Sequence, residues 1–260
     1  HPARILALAG SPGAEPKLDA QVRIGGDAGA SEVVLLNLSG PLRSHSEAVI
    51  TPLLVPDAPI VAWWPNHAPA HPGEHPIGKV AKLRITDSNH CSNAREVLDR
   101  LAAGYRPGDS DLAWTRLTGW RAQIAAALDI AGSDPVTGVI VEAMPDRASA
   151  WLLAGWLAIE LQCPTEYVPV PNAVGISSVT LQRASGDIVF SRPDGHTLSI
   201  KQPGFPERQI ALPLTSLSEA LTEELRRLDT DRVYEKVLTK GRALVSSPDT
   251  ASPAAQEVAA

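Results

Sequence analysis

The spacing of apolar residues predicts an α/β structure in the first half of the chain. Short apolar runs predict strands at 4–9, 21–24, 32–38, 59–64 and 83–87. The run PIVAWW has no polar alternation, which is typical of a strand covered on both faces in a parallel sheet. We therefore expect an open, mainly parallel sheet here, with PIVAWW as a central strand.

Helical patterns lie between and after these strands. SHSEAVITPLLVP has a capping-box pattern from Ser44 to Glu47 but contains Pro52, which predicts a short or kinked helix. NAREVLDRLAAGY predicts an amphipathic helix capped by Ser92. DSDLAWTRLTGWRAQIAAALD predicts one longer helix, flanking the sheet, whose apolar stripe is Leu117, Trp120, Ile124 and Leu128.

After AGSDP the pattern becomes that of an α+β part. VTGVIVEAM and PTEYVPV predict strands on either side of RASAWLLAGWLAIELQ, a helix that is apolar nearly all round and therefore buried between layers. From Ile176, alternating segments separated by SGD and PDG turns predict an antiparallel meander, and SLSEALTEELRRLDTDRVYEKVL predicts C-terminal helices. We expect an α/β domain at 1–131, an α+β domain at 132–240 and a disordered tail at 241–260.

Composition narrows the possible partners. Lys and Arg number 23 against 29 Asp and Glu, a net charge of −6, which argues against binding to nucleic-acid phosphates or anionic lipid. No apolar run approaches membrane-spanning length, and Cys91 and Cys163 form neither a disulfide framework nor a zinc motif, so cytoplasmic residence is expected. HPARILALAG lacks an initiator Met, which indicates a missing upstream segment and an exposed sheet edge.

Two stretches resemble known binding motifs, one for phosphate and one for a metal ion, but the residues around them argue against both. GGDAGAS at 25–31 resembles a phosphate-binding loop, but the following EVVLLNL is strand-like and no lysine follows, which favours a hairpin or crossover loop. His67, His71 and His75 have the spacing of helical metal ligands, but the prolines between and after them forbid that helix. We expect a polar surface loop there, with no metal and no cofactor.

The tryptophans are the remaining candidates. Trp63 and Trp64 end the PIVAWW strand, and alternation sends their side chains to opposite faces, one into the core and one to the rim. Asp87 ends the next strand, and DSDLAWTR brings three more residues to the same edge: Asp111, Trp114 and Arg116. Each tryptophan alone is adequately explained as core, but the group resembles a partner-binding hot spot, and no nucleophile or general base is evident.

Several blocks together carry a family resemblance. KLDAQVRIGGDAGASEVV, VPDAPIVAWWP, RITDS, GDSDLAWTRLTGWR, LLAGWLA and EELRRLD occur in this order from about Lys17 to Tyr234. They resemble OpcA, the glucose-6-phosphate dehydrogenase assembly family of actinobacteria and cyanobacteria. The resemblance implies a non-catalytic factor that binds glucose-6-phosphate dehydrogenase, promotes its active oligomer and supports the oxidative pentose phosphate pathway. It carries no cysteine motif onto Cys91 or Cys163.

Two other functions stay open at this point. One is a sugar-phosphate-handling enzyme that uses the strand-end cleft edged by Trp64, Asp87, Asp111 and Arg116. The other is a sensor that binds a sugar phosphate and relays its presence to the dehydrogenase. Turnover by the purified protein would favour the enzyme, whereas stabilisation by a ligand without turnover would favour the sensor.

Overall fold

The chain is described here from a computed structural model, which covers residues 4–11, 13, 15–24, 32–130 and 134–248. It forms two compact units. The smaller unit comprises His1–Ala62 and Gly73–Arg84, and the larger comprises Trp63–Pro72 and Ile85–Ala260. This division differs from the boundary expected near residue 132.

The smaller unit contains a three-stranded sheet with order β1-β3-β2. Its strands are β1 (Arg4–Ser11), β2 (Lys17–Ile24) and β3 (Glu32–Ser39). β3 runs parallel to β1 and antiparallel to β2. Alternate residues of β3 are buried, and they pack with residues of two short helices, α1 (Ser46–Ile50) and α2 (Pro76–Val80). Every residue of the edge strand β2 is exposed, so the core of this unit lies against β3.

Two local predictions in this region are corrected by the structure. The Ser44 capping box does not form, because the Ser44 hydroxyl donates to the Pro41 carbonyl oxygen and α1 begins after His45. The PIVAWW run yields only β4 (Val61–Trp63), at the edge of a three-stranded sheet in which β5 (Leu83–Thr86) lies between β4 and β6 (Asp109–Asp111). The central strand is β5 (Leu83–Thr86), in which all four residues are buried.

The larger unit is built on a seven-stranded sheet with order β12-β11-β10-β9-β7-β8-β13. Its strands are β7 (Val136–Ala143), β8 (Thr165–Pro169), β9 (Ile176–Arg183), β10 (Ile188–Ser191), β11 (Thr197–Lys201), β12 (Arg208–Ala211) and β13 (Val245–Ser246). β7 and β8 are parallel and are joined through helix α6 (Ala148–Leu161), whereas β9 to β12 form an antiparallel meander. The predicted fold class is therefore confirmed.

Further helices complete the larger unit. They are α3 (Ala94–Ala103), α4 (Leu112–Thr115), α5 (Thr118–Ile130), α7 (Leu217–Glu224) and α8 (Arg232–Lys236), followed by a π-helical turn at Val237–Gly241. Leu98 of α3 and Trp120 of α5 share one buried cluster with Val139 of β7 and Leu152 of α6. Because this core is continuous, residues 85–130 belong with the large sheet.

The segment 109–129 is not one helix. Its first three residues form the buried strand β6 (Asp109–Asp111), and the Asp111 carboxylate accepts from the Ala113 N–H, which starts α4. A second helix, α5, then begins at Thr118. The aspartate therefore caps the start of α4 and stays in extended conformation itself, as is usual for Asp at helix starts.

Two further corrections concern element ends. The side chain that caps α3 is Asn93 rather than Ser92. Part of the expected tail is ordered, because Val245 in β13 pairs with Thr165 in β8 and is buried. Residues 249–260 lie outside the described residues. A helix long and apolar enough to span a membrane is not found in the described part of the chain.

Candidate functional site

Two buried carboxylates lie at the ends of neighbouring strands: Asp87 follows β5 and Asp111 ends β6. Asp111, at the end of β6, is fully buried. Its carboxylate accepts hydrogen bonds from the Thr86 hydroxyl at 2.6 Å, from the Ser88 hydroxyl at 3.0 Å and from the Ser88 N–H at 3.2 Å. Burial raises the pKa of Asp111, while the hydrogen bond from Thr86 opposes that rise. Asp111 therefore links β5, β6 and the start of α4.

Asp87 forms the second buried carboxylate. Arg116 donates to both of its oxygens, at 2.7 and 2.9 Å, in a bidentate pair. The Asp87 side chain has no exposed surface and that of Arg116 is 11% exposed. His90 Nε2 lies 3.4 Å from Asp87 Oδ2. The structure brings Asp87, Asp111 and Arg116 to one edge, as the sequence indicated, but their polar atoms bind partners within the fold rather than projecting outward.

Trp114 does not lie at an exposed rim. It is 2% exposed, its indole N–H donates to the Asp231 carboxylate at 2.8 Å, and its ring lies 6.1 Å from that of Tyr234. The Arg121 guanidinium lies 3.9 Å from the Trp114 ring centroid, within cation–π distance. Trp114 therefore contributes to the core, and the expectation of a docking role for its exposed surface is corrected.

Trp63 and Trp64 differ from the predicted division between core and rim. Trp63 is exposed, at 37%, and Trp64 is half-buried, so neither is a core residue. The buried residue at this end of β4 is Ala62. The Trp64 N–H donates to the Ile85 carbonyl oxygen at 3.0 Å, which fixes the strand end beside β5. Of the six predicted partner-binding residues, Trp63 offers the largest exposed aromatic surface.

A cleft that the sequence did not reveal lies beside Arg116. It has a volume of about 250 Å³ and is lined by Arg116, His90, Arg147, Arg192 and a set of mostly apolar residues. Arg147 immediately precedes α6 at the carboxyl end of β7, and Arg192 follows β10. The position of Arg147 after a strand and before a helix was a usable signal. Nothing local marked Arg192, because its partners in the cleft are distant in sequence.

The other sequence candidates supply no competing site in the described residues. No group of three or more His, Cys, Asp or Glu side chains among them could hold a metal ion. His75 caps α2 by accepting from the Ile77 N–H, and burial lowers the pKa of His75. Cys91 and Cys163 are free thiols, and burial raises the pKa of each. The GGDAGAS loop lies outside the described residues.

Comparison with known proteins gives two kinds of result. Crystal structures of KijD10, a 3-ketoreductase from Actinomadura kijaniata, match this chain. A mutant bound to TDP-benzene and NADP has a TM-score of 0.49 and 10% identity, with 81% of this chain and 83% of that chain covered. A second mutant with the same ligands has a TM-score of 0.48 and 10% identity, with 95% and 99% covered. Likenesses this distant carry no functional conclusion. A search of curated proteins found no match.

Two family models match most of the chain, and these matches identify its family. Residues 1–103 match the N-terminal domain of the glucose-6-phosphate dehydrogenase subunit. Residues 107–238 match the C-terminal domain of the same family. Together the two models cover nearly all of the segment from Lys17 to Tyr234, in which the blocks that resemble this family occur. The N-terminal model precedes the C-terminal model along the chain. The chain therefore belongs to the OpcA family of glucose-6-phosphate dehydrogenase assembly proteins.

Proposed function

We propose that this protein is a non-catalytic assembly factor that binds glucose-6-phosphate dehydrogenase and promotes its active oligomer. The observation that carries the proposal is the pair of family models, which span residues 1–103 and 107–238 and name that dehydrogenase. In this role the protein supports the oxidative pentose phosphate pathway in the cytoplasm.

The geometry of the strand-end residues favours a binding role over catalysis. A general base needs a carboxylate within hydrogen-bond reach of a substrate proton. Asp111 is fully buried and engaged by Thr86, Ser88 and Ala113, and Asp87 is engaged on both oxygens by Arg116. Both carboxylates therefore have structural partners where a catalytic base would need an accessible oxygen.

Trp63 is the proposed anchor of the docking surface. Tryptophan is enriched among residues that dominate binding energy, because its large ring excludes water from the interface. The Trp63 side chain is 37% exposed at the end of β4. Four of the other predicted partner-binding residues support the anchor by holding the ends of β4, β5 and β6: Trp64, Asp87, Asp111 and Arg116. Trp114 supports it only from the core.

The test combines purified protein with purified glucose-6-phosphate dehydrogenase. We expect co-elution in size-exclusion chromatography, a larger dehydrogenase oligomer by light scattering and higher dehydrogenase activity. Trp63→Ala is expected to weaken binding by about thirtyfold, the equivalent of about 2 kcal/mol for a hot-spot residue. Phe205→Ala is the matched control, because Phe205 is also an exposed aromatic residue, at 52%.

Two outcomes would count against the assembly role, and a third would count only against Trp63 as the anchor. Absence of any complex, or an unchanged oligomer and activity, would reject the assembly role. Turnover of sugar phosphates by the purified protein alone would favour the enzyme alternative. Equal binding by Trp63→Ala and Phe205→Ala would keep the assembly role but place the interface elsewhere.

A further inference from the structure

The cleft beside Arg116 has an unusual charge for this protein. Among the described residues, its lining contains three arginines and a histidine but no aspartate or glutamate, although the whole chain carries a net charge of −6. Arg116 is neutralised by its bidentate pair with Asp87. The two remaining guanidiniums, those of Arg147 and Arg192, give the cleft an excess of positive charge.

Arg192 is held rigidly in this position. It is 4% exposed, and it donates to the carbonyl oxygens of Leu212 at 2.9 Å and Ile176 at 3.4 Å. Its guanidinium carbon lies 5.0 Å from the ring centroid of Trp120, close enough for a cation–π contact. These neutral partners orient the guanidinium without cancelling its charge.

Arg147 has even fewer protein partners. Its side chain is half-buried, and among the described residues it forms no hydrogen bond or ion pair that would neutralise it. Burial lowers the pKa of Arg147, and the neighbouring Arg116 lowers it further, while Asp87 acts in the opposite direction. Arginine nevertheless stays charged in proteins, and Asp87, which is already paired with Arg116, offsets the charge of Arg147 only in part.

The carboxylate of Asp194, which acts on the pKa of Arg192, has other partners. Burial lowers the pKa of Arg192, and Asp194 partly offsets that effect. The Asp194 carboxylate, however, accepts hydrogen bonds from the backbone N–H groups of His196 and Thr197, each at 2.8 Å. Asp194 therefore reduces the positive potential near Arg192 without forming an ion pair with it.

Four buried donors of the lining residues have no acceptor in the part of the chain that the structure describes. They are Arg147 Nε, Arg192 Nε, Asn89 Nδ2 and Trp120 Nε1. Buried donors are normally satisfied, and each unsatisfied group costs about 1–3 kcal/mol. Four such donors around one cleft, together with its excess of positive charge, favour an anionic ligand. The start of α6 lies at the same cleft and adds a favourable dipole for an anion.

We propose that this cleft binds a small phosphate-bearing ligand, whose phosphate is held by Arg147, Arg192 and Asn89. Guanidinium groups match phosphate oxygens geometrically, because their planar N–H donors can bind two oxygens at once. A volume of about 250 Å³ accommodates a phosphate and a small attached group. Leu117, Ile176 and Leu214 supply an apolar wall for the carbon atoms of that group.

The proposal is tested on the full chain in the absence of any dehydrogenase, so its outcome does not depend on the proposed function. Thermal unfolding and calorimetry are measured with inorganic phosphate and, separately, with a hexose 6-phosphate, at ionic strength matched with potassium chloride. We expect a saturable rise in melting temperature with a phosphate compound and no such rise with chloride, because a ligand that binds only the folded state stabilises it. Tighter binding of the ester identifies a phosphomonoester ligand, and equal or tighter binding of inorganic phosphate identifies the free ion.

Arg147→Gln tests the assignment of the site. Loss of a charge-assisted hydrogen bond is expected to weaken phosphate binding by roughly tenfold or more. Arg226→Gln, at an exposed arginine outside the cleft, is the matched control and is expected to bind as the unmodified protein does. Arg147→Lys keeps the charge but loses the planar donors, so an intermediate affinity is expected. Absence of saturable binding by both phosphate compounds, or equal binding by Arg147→Gln and Arg226→Gln, would overturn the proposal.

Discussion

Two groups of buried charge in the larger unit share Arg116 but differ in how their polar atoms are satisfied. Around Asp87 and Asp111, each carboxylate has donors within 3.2 Å from side chains and backbone of the same fold. Around Arg147 and Arg192, the described residues provide no acceptor for four donors of the cleft and no carboxylate in its lining. The carboxylates of the first group are hydrogen-bonded within the fold, whereas a bound anion would supply acceptors for the donors of the second group.

This difference distinguishes charged groups that hold the fold together from charged groups that can bind a ligand. A buried ion pair with all its hydrogen bonds made contributes to holding elements together, and removal of one partner leaves the other charge stranded. A buried cation without a counter-charge costs free energy unless a ligand provides that charge. We therefore expect substitutions around Asp87 and Asp111 to destabilise the protein, and substitution of Arg147 to change its stability little.

Asp87→Ala is expected to destabilise the protein most. It leaves the mostly buried Arg116 guanidinium without its bidentate partner, which costs about 3–5 kcal/mol for a buried pair. Urea unfolding measures the change, and Asp129→Ala, at an exposed position of α5, is the control with little expected effect. A loss as small as that of the control would show that Asp87 and Arg116 do not form a structural pair.

Thr86→Val removes one donor to Asp111 while keeping the shape of the side chain. The expected loss is about 1 kcal/mol, because Ser88 and Ala113 still donate to the carboxylate. Thr180→Val, at a half-buried position of β9, controls for the change from hydroxyl to methyl. A loss no greater than that of the control would mean that Asp111 does not depend on the Thr86 hydroxyl.

The same variant also has an expected dependence on pH. Burial raises the pKa of Asp111 above 3.8, so the folded protein holds this proton more tightly than the unfolded chain does. Stability attributable to Asp111 therefore falls as pH rises from that ordinary value through the folded-state pKa. Thr86→Val removes a hydrogen bond that lowers the pKa, so its cost is expected to be larger at neutral pH than in acid. An equal cost at both pH values would contradict the assignment.

Arg147→Gln is expected to change the stability of the ligand-free protein least. It removes a charge that forms no ion pair with a described residue, so we expect a change within about 0.5 kcal/mol or a small gain. Urea unfolding in phosphate-free buffer measures it against Arg226→Gln. A loss comparable to that of Asp87→Ala would show that Arg147 has a structural role, and the contrast between the two groups would fail.

Sequence patterns were sufficient for much of the fold. The apolar helix α6 between β7 and β8 and the turn-separated strands β9 to β12 carry strong local signals, and both are confirmed. The family also followed from the sequence, because its blocks occur along nearly the whole chain and both family models match. The partner-binding role of Trp63 stays a prediction.

Tertiary structure alone decided which strand is central and which polar groups meet. Periodicity does not distinguish the edge strand β4 from the central strand β5, because strand order depends on pairing between distant segments. Trp114 is buried because residues far along the chain pack against it: Asp231 accepts its indole N–H, and the Tyr234 ring lies beside its ring. Arg147 precedes α6 and Arg192 follows β10, so the two arginines line one cleft only after the sheet and α6 have packed together.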